Sequence, residues 1–136
     1  MNLISENLEL QWLLKLNKHQ LSDLIFMDEE VRFLKSLLDK HFQEKLQDSH
    51  INRVQLIGQQ LLQLNMIKEN ITKDVLIHQG NLHPPINYLI ETGVEPLKIQ
   101  SDRIEEEIKD LNNCFRNIKK EIFTVYQSIG LEEYQN

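Results

Sequence analysis

The feature that most constrains this chain is an uninterrupted stripe in its last third. Leu97, Ser101, Ile104, Ile108, Leu111, Phe115, Ile118, Ile122, Val125 and Ile129 recur at alternating steps of four and three. That spacing puts all ten on one side of a single helix roughly 50 Å long at about 1.5 Å per residue. An apolar stripe of that length must be covered by other helices, and the chain holds two further segments able to do so.

The first runs from about residue 6 to 48, with Ser5 as a candidate N-cap. Its seam reads Leu10, Leu13, Asn17, Leu21, Leu24, Met27, Val31, Leu34, Leu38 and Phe42. Trp12, Phe26, Phe33 and Leu37 flank the seam and are expected to widen it, as in a helix packed against two neighbours. The second covers about 50–79, with Val54, Ile57, Leu61, Leu64, Lys68, Ile71, Val75 and His78 on one stripe, a turn near 47–50 before it, and Gly80 as its expected left-handed cap. The stripe of the third runs over about 96–129, opened by Pro96 and closed by Gly130, with 131–136 as a frayed tail. All three prolines lie between Asn81 and Pro96, where Pro84, Pro85 and Gly93 frame a short helix near 85–92, expected to lie over one end of the assembly. The expected fold is all-α: one domain, residues 1–136, an antiparallel bundle of three long helices with a short extra one.

Composition narrows the function classes. A formal net charge of −6 lacks the basic excess with which nucleic-acid binders neutralise phosphate. The short basic group Arg116, Lys119 and Lys120 is followed by Glu121 and reads as a solvated face. No apolar run approaches the roughly 20 residues that span a bilayer, and Met1 to Leu10 lacks the basic start and apolar block of a secretory leader. Cys114 is the only cysteine, so no disulfide can form within the chain. The expectation is a cytoplasmic protein without nucleic-acid or membrane partners.

Two polar constellations stand out from the seams. If the chain reverses near residue 49, positions on the first two helices whose numbers sum to about 99 face each other. That ruler brings His78 near His19 and Asp23, with Asp74 one turn away, Asp102 and Ser101 at the same level and His83 on the following loop. Imidazoles and carboxylates converging from several helices can hold a metal inside a bundle. The Glu-x-x-His and His-Glu-x-x-His patterns of established metal sites are absent from the sequence, however, and no cofactor is expected. The same ruler pairs Glu30 with Lys68, a charge pair of the kind that sets helix register. Cys114, mid-helix beside Phe115, reads as a small buried hydrophobe. Glu105, Glu106 and Glu107 suit the positive end of the third helix and its solvated side. The glycines are isolated, so no phosphate-cradling loop exists.

Three stretches carry a resemblance: Leu21-Ser22-Asp23-Leu24-Ile25-Phe26 followed by Glu30, Phe33-Leu34-Lys35 and Leu37-Leu38; Leu76-Ile77-His78-Gln79; and Phe115-Arg116-Asn117-Ile118-Lys119-Lys120-Glu121-Ile122-Phe123. Over about 21–129 the chain resembles a bacterial family of uncharacterised, wholly helical proteins, while 82–96 looks particular to this sequence. The resemblance implies a cytoplasmic helical bundle and no activity or catalytic residue.

With no triad, metal motif or cofactor loop, the chain reads as a non-enzyme. The first functional expectation is a helical interaction module, binding a protein partner or forming a homodimer through apolar residues off the seams, Leu8, Trp12 and Leu62 among them. The alternative is a metal- or small-ligand-binding bundle using the polar end near His78.

Overall fold

The computed structural model describes the backbone of residues 3–41 and 48–135 and the side chains of 3–40 and 50–128. Four helices account for nearly all of it: α1 (Leu3–His41), α2 (Asp48–Asn81), α3 (Ile86–Thr92) and α4 (Glu95–Gln135), with no strand among the described residues.

The α4 stripe is buried as its spacing requires. Leu97, Ser101, Ile104, Ile108, Leu111, Phe115, Ile118, Ile122 and Val125 are each 7 % exposed or less, and the side chain of Ile129 lies outside the described residues. On α2, Ile57, Leu61, Leu64, Lys68, Ile71, Val75 and His78 are buried, and Val54 is half-buried. The α1 seam differs from expectation at one point. Gln20 is 1 % exposed, whereas the neighbouring Leu21 is only half-buried. Strict alternation of three and four from Leu10 through Leu13, Asn17, Gln20 and Leu24 selects the glutamine, and helix geometry prevails over side-chain polarity.

The helix ends also differ. α1 begins at Leu3, and α2 is already helical at Asp48, so the expected turn at 47–50 is not where the chain leaves helix; Phe42 and the rest of 42–47 lie outside the described residues. No glycine or proline stands in 48–50 to break the helix there. Gly80 is not a left-handed cap. α2 runs through it to Asn81, and Leu82 N–H still donates to the His78 carbonyl at 3.1 Å. The reason is tertiary: the extra turn delivers Leu82, 0 % exposed, into a cluster with Leu10, Leu13, Leu89, Val94 and Leu97. Nor does Gly130 close α4, which continues to Gln135 through the expected frayed tail. One glycine costs a helix only about 1 kcal/mol relative to alanine, less than a proline stop.

The connection behaves as its punctuation implies. Pro85 precedes α3 in an extended conformation, and Gly93 follows it at φ 74° and ψ −170°, its N–H returning to the Leu89 carbonyl at 3.0 Å. That backbone region is open essentially to glycine alone. Leu89 is the buried residue of α3, while Ile86 and Ile90 face outward.

Contacts divide the chain into two compact units. The first comprises residues 1–26 and 68–110, and the second 27–67 and 111–136. The second unit has a wholly apolar interior among the described residues, built by Met27, Val31, Leu34 and Leu38 of α1, Ile57, Leu61 and Leu64 of α2, and Leu111, Phe115, Ile118, Ile122 and Val125 of α4. The first unit is different in kind: Asn17, Gln20, Lys68, His78 and Ser101, the buried polar residues of the described chain, all belong to it.

Candidate functional site

The polar layer of the first unit is assembled from three helices. Asn17 of α1 donates its Nδ2 to the Val75 carbonyl of α2 at 3.1 Å. One turn further along α1, Gln20 Nε2 donates to Glu105 Oε1 of α4 at 2.9 Å and lies 3.5 Å from the Ser101 carbonyl. One turn beyond Val75, His78 Nδ1 meets Gln100 Oε1 of α4 at 3.0 Å, and the same oxygen accepts from Asn81 Nδ2 at 3.4 Å. Each helix thus offers the next a hydrogen bond across an otherwise apolar interior, where an unmet polar group is costly.

His78 is 0 % exposed. Burial pushes its pKa below the ordinary histidine value; the Gln100 bond opposes this, and the Arg103 charge adds to it. The imidazole is therefore neutral at physiological pH. Because Gln100 Oε1 can only accept, the His78 proton resides on Nδ1, and Nε2 carries a bare lone pair. Gln20 Oε1, His78 Nε2 and Ser101 Oγ are buried with no hydrogen-bond partner among the described residues.

A second polar feature stands at the base of the first unit's apolar cluster. Glu6 Oε2 of α1 accepts from the Val94 N–H at 2.9 Å, just ahead of α4. A carboxylate there satisfies one of the orphan amides of a helix start and complements its dipole.

The candidate metal-ligating residues face different surroundings. His19, Asp23 and Asp102 are exposed and Asp74 half-buried, while His78 is fully enclosed. Among the described residues no group of three or more His, Cys, Asp or Glu side chains is placed to hold a metal ion. Asn17 meets Val75, numbers that sum to 92 rather than 99, so the ruler misplaced the level by about two turns of helix, and carboxylates one position off a seam point to water. His83 is likewise exposed.

Glu30 finds a cation on α4. In the second unit Glu30 Oε2 receives a hydrogen bond from Lys119 Nζ at 2.8 Å, and Lys119 also stands 4.8 Å from the centroid of the Phe115 ring. Lys68 is 4 % exposed, as its seam position implies. Cys114 is exposed, not buried, because Phe115 takes the inward position beside it.

Several large apolar side chains expected to widen the α1 seam point outward instead: Trp12 is 66 %, Phe26 62 % and Phe33 67 % exposed. A stripe at four-residue spacing, Ile4, Leu8 and Trp12, runs along the outside of the first unit, exposed by 74 %, 62 % and 66 %. Leu62 is exposed as well.

Comparison with protein-family models, curated proteins and solved structures finds no match to this chain. Gln20, Gln100 and Glu6 are the site residues that periodicity alone did not single out. For Gln20 the signal was present in the three-four alternation; for Gln100 and Glu6 no local signal exists, since each gains its role from a residue distant in sequence.

Proposed function

We propose that this chain is a non-enzymatic helical module that docks a helix of another protein on the outer face of α1. The observation that carries the reading is the exposed Ile4, Leu8 and Trp12 stripe. Residues four apart on a helix adjoin one another, so the three form one apolar strip rather than scattered positions. A tryptophan in such a strip is the residue type that most often anchors a protein interface. The exposed Glu9 lies beside it, and a net charge of −6 opposes a second copy of the same chain, so an amphipathic helix with basic edges suits it better.

The same reading takes the long helices as an antiparallel bundle. In its support, Glu6 meets Val94 and Gln20 meets Glu105, so α1 and α4 advance together. Leu10 and Leu13 cluster with Leu82, and Asn17 meets Val75, so α2 advances the other way. A reducing, cytoplasmic setting goes with it, since a lone exposed Cys114 would otherwise invite cross-linking between chains. No helix is long and apolar enough to cross a membrane among the described residues.

Trp12 is the only tryptophan and reports directly on its own face. Its emission should be that of a water-exposed indole, independent of protein concentration, with light scattering giving the mass of one chain. A protein captured by the wild type and lost with Trp12→Glu should then, once purified, shift that emission to the blue. A blue shift on concentrating the chain alone, with a doubled mass, would replace the partner with a second copy. Capture undiminished by Trp12→Glu and Leu8→Glu would reject the α1 face.

A further inference from the structure

We propose that the polar layer of the first unit is a binding site for one water molecule, which donates to His78 Nε2 and Gln20 Oε1 and accepts from Ser101 Oγ. The argument is a proton count. The Gln20 amide is oriented by Glu105, because Nε2 donates to that carboxylate at 2.9 Å and leaves Oε1 as a pure acceptor. His78 is oriented by Gln100, whose Oε1 takes the Nδ1 proton at 3.0 Å and leaves Nε2 as a second pure acceptor. Ser101 Oγ is likewise buried without a partner among the described residues, as is Glu107 Oε2 further along α4, and the serine holds a single proton. One hydroxyl proton cannot serve two acceptors, so the protein cannot close this layer from its own groups.

Hydrogen bonds bring Gln20 and His78 to the stretch of α4 that carries Ser101. Gln20 reaches the Ser101 carbonyl at 3.5 Å, and Gln100, the partner of His78, precedes Ser101 directly. Because α1 and α2 run in opposite directions, Gln20 and His78 stand on either side of the 3.1 Å Asn17–Val75 bond, and each side chain leans towards the N-terminus of its own helix, hence towards the other. All three side chains are at most 1 % exposed, so their unpaired atoms face the interior. Water supplies the missing protons: it donates two and accepts one, and buried waters in proteins characteristically make about three hydrogen bonds. An ammonium ion or a divalent metal suits these three neutral atoms less well, since the Glu105 carboxylate is already engaged by Gln20 Nε2. The water would join α1, α2 and α4 and hold His78 in its neutral Nδ1–H form.

The test is heteronuclear NMR on the full chain labelled with nitrogen-15. Long-range proton–nitrogen correlations should show His78 as the Nδ1–H tautomer. Water-selective NOEs should reach the His78 ring and Ser101 with the sign of a water bound longer than molecular tumbling. Gln20→Leu removes one acceptor and lets Ser101 serve His78 directly, so the water NOEs should vanish while the tautomer persists. Three outcomes would each overturn the proposal: an Nε2–H tautomer in the wild type, the Nδ1–H tautomer without a water NOE, or stoichiometric shifts of the His78 ring on adding zinc or ammonium chloride. The wild-type spectra decide the matter even if the variant does not fold.

Discussion

Asn17 Nδ2 lies 3.1 Å from the Val75 carbonyl, a hydrogen bond between helices whose residues stand far apart in sequence. A mid-helix carbonyl has a second lone pair beyond its helical bond, so Asn17 adds a contact without taking one away. Two variants separate its polar and steric roles. Asn17→Ala leaves a buried gap and should cost about 1–3 kcal/mol in urea unfolding. Asn17→Leu refills the space, strands no donor, and should stay within about 1 kcal/mol of the wild type. Equal losses in both would show the hydrogen bond itself to dominate.

The α1 register gives the second prediction. Leu24 is 2 % exposed and Leu21 only half-buried. Leu24→Ala should cost about 2–5 kcal/mol, the range for a core truncation, and Leu21→Ala less than half as much. A larger loss at Leu21 would restore the apolar register in which it replaces Gln20.

The Glu30 and Lys119 side chains are 30 % and 35 % exposed, so their ion pair is partly screened. A double-mutant cycle with Glu30→Gln and Lys119→Gln should give a coupling of about 0.5–1 kcal/mol at low salt. It should shrink towards zero near 1 M salt, where the Debye length is about 3 Å. Coupling that survives high salt would show the pair to be desolvated.

Three glycines should respond in opposite directions. Gly93 sits at φ 74°, a conformation that costs any other residue strain, so Gly93→Ala should destabilise by about 1–3 kcal/mol. Gly58 and Gly80 are inside α2 with no atom within 4 Å of an added Cβ. Alanine at either should raise stability by up to about 1 kcal/mol. Thermal melts of the three variants check both signs.

His78 makes stability depend on pH. Its pKa in the folded chain is lowered, chiefly by burial, so between the unfolded value of about 6.5 and the folded value the unfolded chain binds more protons. The contribution is complete above about pH 6.5 and is lost as pH falls below it, with a slope of at most about 1.4 kcal/mol per pH unit. Subtracting the same curve for His78→Gln removes the carboxylates, which titrate in both chains. Parallel curves between pH 5 and 7 would refute the effect.

Much of this architecture was legible before any coordinates. Local rules reach as far as one helix: the α4 stripe, the α2 seam including Lys68 and His78, and the Pro85 to Gly93 punctuation of α3 each follow from helical period or backbone freedom. Which of two adjacent residues turns inward was also written in the period, at Gln20, but polarity concealed it. Three-dimensional packing decided the rest. It made Lys119 a partner of Glu30, turned Trp12, Phe26 and Phe33 outward, and carried α2 past Gly80 to bury Leu82. The physical reason is common to all three. A side chain's direction follows from its own helix, whereas its partner depends on the rotation and axial placement of another helix, which no local spacing encodes.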